Sequence, residues 1–196
     1  MAVRLAERKQ SPAPWVNTLT RVVVPDRFVA DDTVFKLGGH TFRVMHAGPA
    51  HTPEDLMMLV EEDGELFVGD LMFTGRIPFV ADADVSAWIR AIDRVLSLRP
   101  RVVVGGHGRA LTHTAADLAL TRDCLEFLRT QIAVAFEEGL DVDAAYRRID
   151  GSRFAGLPAF EAANRHNAYG VCQADLNAER KSLGAIEPAA LPTTKP

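Results

Sequence analysis

The chain has 196 residues, of which 47% are apolar and 24% charged, and its net charge is −4. These proportions exclude wholesale disorder and allow one domain with a sizeable core. The acidic balance argues against a nucleic-acid partner held by overall charge, because phosphates bind to basic surfaces. No apolar run reaches the roughly 20 residues that span a bilayer, and the start does not read as a secretory signal. We therefore expect a cytoplasmic protein with no membrane partner.

The first half of the chain is predicted to form short antiparallel strands. After a linker to about residue 17, β-rich runs occupy five stretches, namely 21–24, 33–37, 41–46, 55–60 and 65–68. Gly38 and Gly39 join two of these runs, which is the pattern of a tight hairpin. The connections among the later runs are too short for crossover helices, so we expect antiparallel pairing.

The second half is predicted to be mostly helical. Apolar residues recur at helical spacing over 85–96, with Asp84 as the N-cap. A strand over 102–104 ends in a glycine-rich turn, and helices are predicted over 114–138, 141–149 and 158–182. The proline-rich tail, 183–196, is predicted to be disordered. This order indicates a mixed α/β (α+β) fold in one domain over 1–182, with helices covering a sheet.

Three polar side chains follow buried strands at turns rich in glycine or proline, and they are His51, Asp70 and His107. Glycine lets the backbone adopt unusual angles and lets a ligand approach closely. Two imidazoles and one carboxylate suit Zn²⁺, and Fe²⁺ or Mn²⁺ would also accept them. The alternative is that each is an ordinary turn or surface residue, since no local motif such as Cys-x-x-Cys decides the matter.

The segment GPAHTPEDLMMLVEEDGELFVGDLMF, followed by RPRVVVGGHG, resembles the second half of a metallo-beta-lactamase-fold hydrolase. The resemblance implies an αββα sandwich that is truncated at its N-terminus and carries a C-terminal helical extension. It implies that His51 and His107 are zinc ligands, and that Asp70 is the catalytic carboxylate that bridges two metals. The family's other metal-binding string, His-x-His-x-Asp-His, does not occur in this sequence.

Residues of the last predicted helix extend the resemblance. Phe160, the run 165–167 and Tyr169 are similar to the helical extension of the quinoprotein-relay-system zinc metallohydrolase subgroup. Without the His-x-His-x-Asp-His string, the resemblance implies that the chain holds mainly the second half of the fold. A half-fold would expose an apolar sheet face, which predicts a homodimer or aggregation.

The resemblance implies a zinc-dependent hydrolase acting on a small molecule. In the intact family, hydroxide on one or two zinc ions attacks an ester, thioester, lactone or lactam. Phe73, Arg76 and Phe79 follow Asp70 and are candidates to line the substrate entrance, and the alternative for each is ordinary loop packing or solvent exposure. We expect the isolated chain to be impaired. One alternative is a non-catalytic remnant that assembles or binds ligands; another is a redox relative using non-haem iron, which usually carries a further flavin domain.

Overall fold

The structure, a computed structural model, describes residues 19, 21, 23–29, 32–80, 83–112 and 115–171, without the side chains of 115–118. Two compact units divide the chain, Met1–Ala30 and Asp31–Pro196. The described residues of the first unit form no helix or strand, so the strand expected at 21–24 is wrong. Val23 and Val24 are 82% and 53% exposed, without the ladder that a strand requires. The tail 183–196 lies outside the described residues, and the single domain over 1–182 stays a prediction.

Five strands form one mixed sheet. They are β1 (Thr33–Leu37), β2 (His40–Gly48), β3 (Asp55–Val60), β4 (Glu65–Phe73) and β5 (Val102–His107). The strands lie side by side in chain order, with the first four antiparallel and β5 parallel to β4. Gly38 and Gly39 both have positive φ, 59° and 85°, so the predicted hairpin between β1 and β2 is confirmed.

The helices follow the predicted order. They are α1 (Val85–Ser97), α2 (Ala115–Glu137), α3 (Val142–Arg148), a 3₁₀ turn (Ser152–Phe154) and α4 (160–171). The carboxylate of Asp84 accepts the Ala87 N–H at 2.8 Å, which confirms this N-cap. Because α1 crosses from the end of β4 to the start of β5, the latter can pair in parallel.

The core lies on one face of the sheet. Met45, Met57 and Leu66 project from three adjacent strands and are at most 2% exposed, and Trp88 and Ile92 of α1 pack over them. This arrangement confirms the predicted α+β class with helices on a sheet. No helix in the described part of the chain is both long and apolar enough to cross a membrane.

The opposite face of the sheet carries exposed apolar side chains. Phe35 stacks on its cross-strand partner Phe42, with ring centroids 5.1 Å apart. On the same face, Phe35, Leu37 and Leu56 are 43%, 67% and 44% exposed. Exposed apolar surface of this kind is typical of an interface. The homodimer through this face stays a prediction.

Light scattering after size exclusion tests that prediction. We expect the wild-type chain to run as a dimer, and Phe35→Ser with Leu37→Ser to shift it toward the monomer, because the substitutions remove apolar area from the interface. Val134→Ser on α2 is the matched control, since Val134 is exposed to a similar 39%. A wild-type monomer at every concentration would contradict the dimer.

Candidate metal centre

His51 lies in the loop between β2 and β3, and two sets of hydrogen bonds fix that loop. Thr52 donates its backbone N–H and its hydroxyl to the Asp55 carboxylate, at 2.8 and 2.6 Å. Asp84, at the start of α1, donates its N–H to the Ala50 carbonyl at 3.0 Å. The His51 backbone is therefore held between β3 and α1.

Asp70 lies inside β4 rather than at its end. The sequence predicts that this strand stops at residue 68, but it continues to Phe73, which is buried. The β4–β5 register shifts between Phe67 and Gly69, and again between Gly69 and Phe73. Such irregularities redirect side chains. Gly69, with φ 53°, gives the backbone the turn that places Asp70 at the exposed edge of the core.

Glycines at the end of β5 allow close packing against β4. A β-carbon at Gly106 would collide with Asp70 Oδ1, and one at Gly105 would lie 2.6 Å from the Met72 carbonyl oxygen. The Thr74 N–H donates to the His107 carbonyl at 3.0 Å, which fastens the two strand ends together. The Asp70 carboxylate thus occupies the space that a side chain at position 106 would need.

The three predicted ligands come together around Asp70. Its Oδ2 lies 4.0 Å from His51 Nδ1, and its Oδ1 lies 3.5 Å from His107 Nε2. The side chains of His51, Asp70 and His107 are 16%, 37% and 46% exposed, so the cluster opens to solvent on the His107 side. Residues that are distant along the chain thus bring one imidazole close to each of the two oxygens of the Asp70 carboxylate.

Two buried aromatic residues support the imidazoles. The Phe73 ring stacks on His107, with centroids 5.1 Å apart, and lies 5.9 Å from the His51 ring. Trp88 meets His51 edge-on at 5.2 Å and donates its Nε1–H to the Leu71 carbonyl at 2.9 Å. The expectation that Phe73 lines the substrate entrance is wrong: it is 2% exposed and lies beneath the histidines, because β4 extends through it.

Sequence reasoning missed Trp88 and Thr121 as supports of this centre. The helical spacing around Trp88 predicts burial but does not say against what. Thr121 of α2, which is fully buried, accepts the Phe73 N–H at 3.1 Å and donates to the Phe73 carbonyl at 3.3 Å. No sequence signal links Thr121 to a strand 48 positions earlier.

The three side chains offer the kinds of donor atom that zinc accepts. His51 Nδ1 is buried without a hydrogen-bond partner, and a cation would satisfy this orphaned nitrogen. Donor atoms that share a tetrahedral zinc lie about 3.3 Å apart, and the two nitrogens lie 3.5 and 4.0 Å from the Asp70 oxygens. Among the described residues, no three His, Cys, Asp or Glu side chains are already grouped at metal-binding spacing. The fit is therefore in the kind of donor only: the His107 ring would have to move closer to Asp70 by about 0.2 Å and the His51 ring by about 0.7 Å.

The remaining histidines and the cysteine within the described residues do not join the cluster. His40 Nδ1 lies 3.2 Å from Asp63 Oδ2 in the hairpins, and His113 lies outside the described residues. Cys124 is buried in α2, and burial raises the pKa of its thiol to about 12. A thiol held protonated in this way is a poor metal ligand.

Comparisons with known proteins agree with this architecture. A family profile, the metallo-beta-lactamase superfamily, matches residues 3–107. The chain belongs to the metallo-beta-lactamase superfamily. The superfamily includes hydrolases, which supports the prediction of a hydrolase in general terms. Membership of the quinoprotein-relay-system subgroup stays a prediction.

The chain spans only part of the length of each relative that it matches. It is 27% identical over 113 residues to a metallo-beta-lactamase type 2 from Bacteroides fragilis, which is 55% of this chain and 41% of that protein. A metallo-beta-lactamase structure from Pontibacter korlensis matches at 28% identity and a TM-score of 0.48, over 64% of this chain and 54% of that one. An inverting sec-alkylsulfatase from Pseudomonas sp. matches at 18% identity and a TM-score of 0.61, over 86% of this chain and 29% of that one. The last match shows the fold alone.

Replacing Gly106 with alanine tests the close packing of Asp70. We expect Gly106→Ala to remain folded, because the flexible Asp70 carboxylate can move aside and the Gly69 carbonyl carbon, 3.0 Å from the added β-carbon, need shift only slightly. We expect it to weaken zinc binding by roughly 10- to 100-fold. Gly156→Ala is the control, since a β-carbon there meets nothing within 4 Å. Calorimetric zinc titration and thermal melting measure the two effects. Unchanged zinc affinity in Gly106→Ala would contradict the packing argument.

Replacing Thr121 with valine tests the support of Phe73. The substitution keeps the shape but leaves the buried Phe73 N–H unpaired, so we expect a loss of about 1–3 kcal/mol in the free energy of unfolding. Thr130→Val, at an exposed position on the same helix, should change stability far less. Urea denaturation measures both, and equal effects would count against a structural role for the Thr121 hydroxyl.

Proposed function

We propose that the chain carries half of the active site of a zinc-dependent hydrolase, with His51, Asp70 and His107 as its metal-holding residues. The observation that supports this most directly is the Asp70 carboxylate lying between the two imidazoles, at 4.0 and 3.5 Å. When bound, zinc supplies Lewis-acid chemistry that polarises the bond under attack and lowers the pKa of water.

The chain's own residues have distinct tasks in this proposal. His51 and His107 donate neutral imidazole nitrogens, and Phe73 holds both rings in position from below. Asp70 supplies negative charge, and its carboxylate, which is 37% open to solvent, would accept a hydrogen bond or a proton from the attacking water. The buried aromatic floor keeps bulk water away from the inner side of the site.

The bond that is cleaved is proposed only as a class. The B. fragilis and P. korlensis relatives are named as metallo-beta-lactamases and the Pseudomonas protein as an alkylsulfatase. We propose an ester, thioester, lactone or lactam of a small molecule. Because the chain spans 41% of the B. fragilis protein, and the His-x-His-x-Asp-His string is missing from the sequence, we propose that activity is weak in the chain alone.

The exposed sheet face favours a second candidate, a non-catalytic module that assembles through this face. Phe35 and Leu37 would then contact a partner, and the histidine cluster would be an ordinary polar edge. Zinc binding separates the two candidates.

Zinc affinity of single variants tests the proposal. We expect His51→Ala, Asp70→Ala and His107→Ala each to weaken zinc binding at least about tenfold, because each removes one of three donors. His40→Ala is the control, since His40 lies in a hairpin and pairs with Asp63. The rate of hydrolysis of a nitrophenyl ester with added zinc should fall in the same three variants. Zinc binding retained at micromolar affinity in His51→Ala and Asp70→Ala would refute the assignment of these residues as metal ligands.

A further inference from the structure

A groove in the helical extension lies between α3 and α4. Its volume is about 640 Å³, and it is lined by α3 and the turn after it on one side and by α4 on the other. None of the three candidate metal ligands lines this groove. Small-molecule sites commonly measure roughly 300–1,000 Å³, so the groove has the size of a binding site.

The groove occupies a different face of α4 from the one that contacts the segment 76–80, which follows β4. His166 and Asn167 contact that segment, through a ring stack on Phe79 and through hydrogen bonds to its backbone. The residues of α4 that line the groove share another face of the helix, and they are Phe160, Glu161, Asn164, Arg165 and Ala168. A ligand in the groove would therefore be separate from the segment after β4.

Apolar side chains line the groove from both sides, namely Tyr146, Ile149, Phe160 and Ala168. The Tyr146 ring meets the Tyr169 ring edge-on, with centroids 6.2 Å apart and an angle of 88° between the rings. This contact joins α3 to α4 and keeps the two sides of the groove in place. The groove is therefore formed before any ligand binds, as small-molecule sites usually are.

Asn164 brings a polar side chain to the groove, and Gly151 makes room for it. Gly151 is buried at the start of the 3₁₀ turn, and a β-carbon there would collide with Asn164 Oδ1. Within the described part of the chain, the Asn164 amide has no hydrogen-bond partner. Since an amide offers both donors and an acceptor, Asn164 can bond to a ligand in the groove.

Charged side chains of both signs also line the groove, and they are Arg147, Asp150, Glu161 and Arg165. None of the four forms an ion pair with another of the described residues. Glu161 and Arg165 stay unpaired although they lie four positions apart on α4. The same spacing on α2 does give an ion pair, between Arg122 and Glu126 at 2.8 Å. The groove thus holds two cations and two anions that do not neutralise one another.

A backbone hydrogen bond keeps the Asp150 carboxylate charged and in place. Asp150 accepts the Ser152 N–H at 2.9 Å, and this bond holds the pKa of the Asp150 carboxyl below its usual range. The bond also fixes the carboxylate at the start of the 3₁₀ turn. A cationic group that enters the groove would therefore meet an ionised carboxylate that is already positioned.

We propose that this groove binds a small zwitterion, with an ammonium and a carboxylate on an apolar body, as a ligand distinct from the substrate. Asp150 and Glu161 receive the ammonium group. Arg147 and Arg165 receive the carboxylate, whose two oxygens suit the guanidinium fork. The apolar lining receives the body of the ligand, and the Asn164 amide adds a hydrogen bond. Free amino acids and short peptides share this chemistry. The inference is independent of the proposed function, because it uses none of the candidate metal ligands.

Phenylalanine and two analogues that each lack one charge test the inference on the unmodified chain. N-acetylphenylalanine has no ammonium group, and phenylalaninamide has no carboxylate. In NMR titrations we expect phenylalanine to bind at least about tenfold more tightly than either analogue, because each analogue loses charge-assisted hydrogen bonds. The dipeptide alanyl-phenylalanine distinguishes the two sources: tighter binding of the dipeptide assigns the groove to short peptides, and tighter binding of phenylalanine assigns it to free amino acids.

Charge-neutralising variants test which side chain receives each end of the ligand. Glu161→Gln should weaken the binding of phenylalanine and phenylalaninamide, which carry the ammonium group, and leave N-acetylphenylalanine unchanged. Arg165→Gln should weaken the binding of phenylalanine and N-acetylphenylalanine and leave phenylalaninamide unchanged. Glu137→Gln on α2 and Arg90→Gln on α1, both at exposed positions, are the matched controls and should change none of the three affinities.

Three results would overturn the inference. They are no saturable binding of phenylalanine or the dipeptide, equal affinity for phenylalanine and both analogues, and unchanged affinities in folded Glu161→Gln and Arg165→Gln variants. Chemical-shift changes confined to residues outside 146–168 would overturn it as well, because the ligand would then bind elsewhere. Thermal melting shows whether each variant is folded, and the comparison of the three compounds on the wild type needs no variant.

Discussion

The close approach of β4 and β5 at their glycines is the constraint on which the candidate site depends. A residue without a side chain at Gly106 leaves room for the Asp70 carboxylate, and that carboxylate lies between His51 and His107. Parallel pairing requires the crossover through α1, which in turn supplies Trp88 beneath His51. The positions of the candidate site residues therefore depend on the parallel pairing of β4 with β5 and on the crossover through α1.

The helical extension contributes more than cover for the core. Thr121 of α2 holds both backbone groups of Phe73, and Asn167 of α4 holds the backbone of the segment that follows Arg76. Both are buried polar side chains that replace secondary-structure bonds across more than 40 residues of chain. Since an unpaired buried donor is costly, these contacts couple the order of the site to the folding of the extension.

The two faces of the sheet have different physical characters. One face is sealed by α1 and α2, with Met57 and Leu66 almost fully buried, and the other leaves Phe35 and Leu37 open to solvent. In the superfamily fold implied by the sequence, a second sheet would cover such a face. The exposed face supports the assembly module as a candidate function, whereas the histidine cluster supports the hydrolase.

The sequence by itself predicted the order of the elements from β1 onward, the hairpin at Gly38-Gly39 and the cap at Asp84, because these are local patterns of spacing and turn chemistry. The choice of His51, Asp70 and His107 as candidate ligands needed the family resemblance as well. The sequence did not determine that β4 runs on to Phe73, nor that Trp88 and Thr121 support the histidines. It also left open that the Arg76 Nε is buried without a hydrogen-bond partner among the described residues. Those features arise from contacts between residues far apart in the chain, and periodicity carries no information about which distant side chains meet.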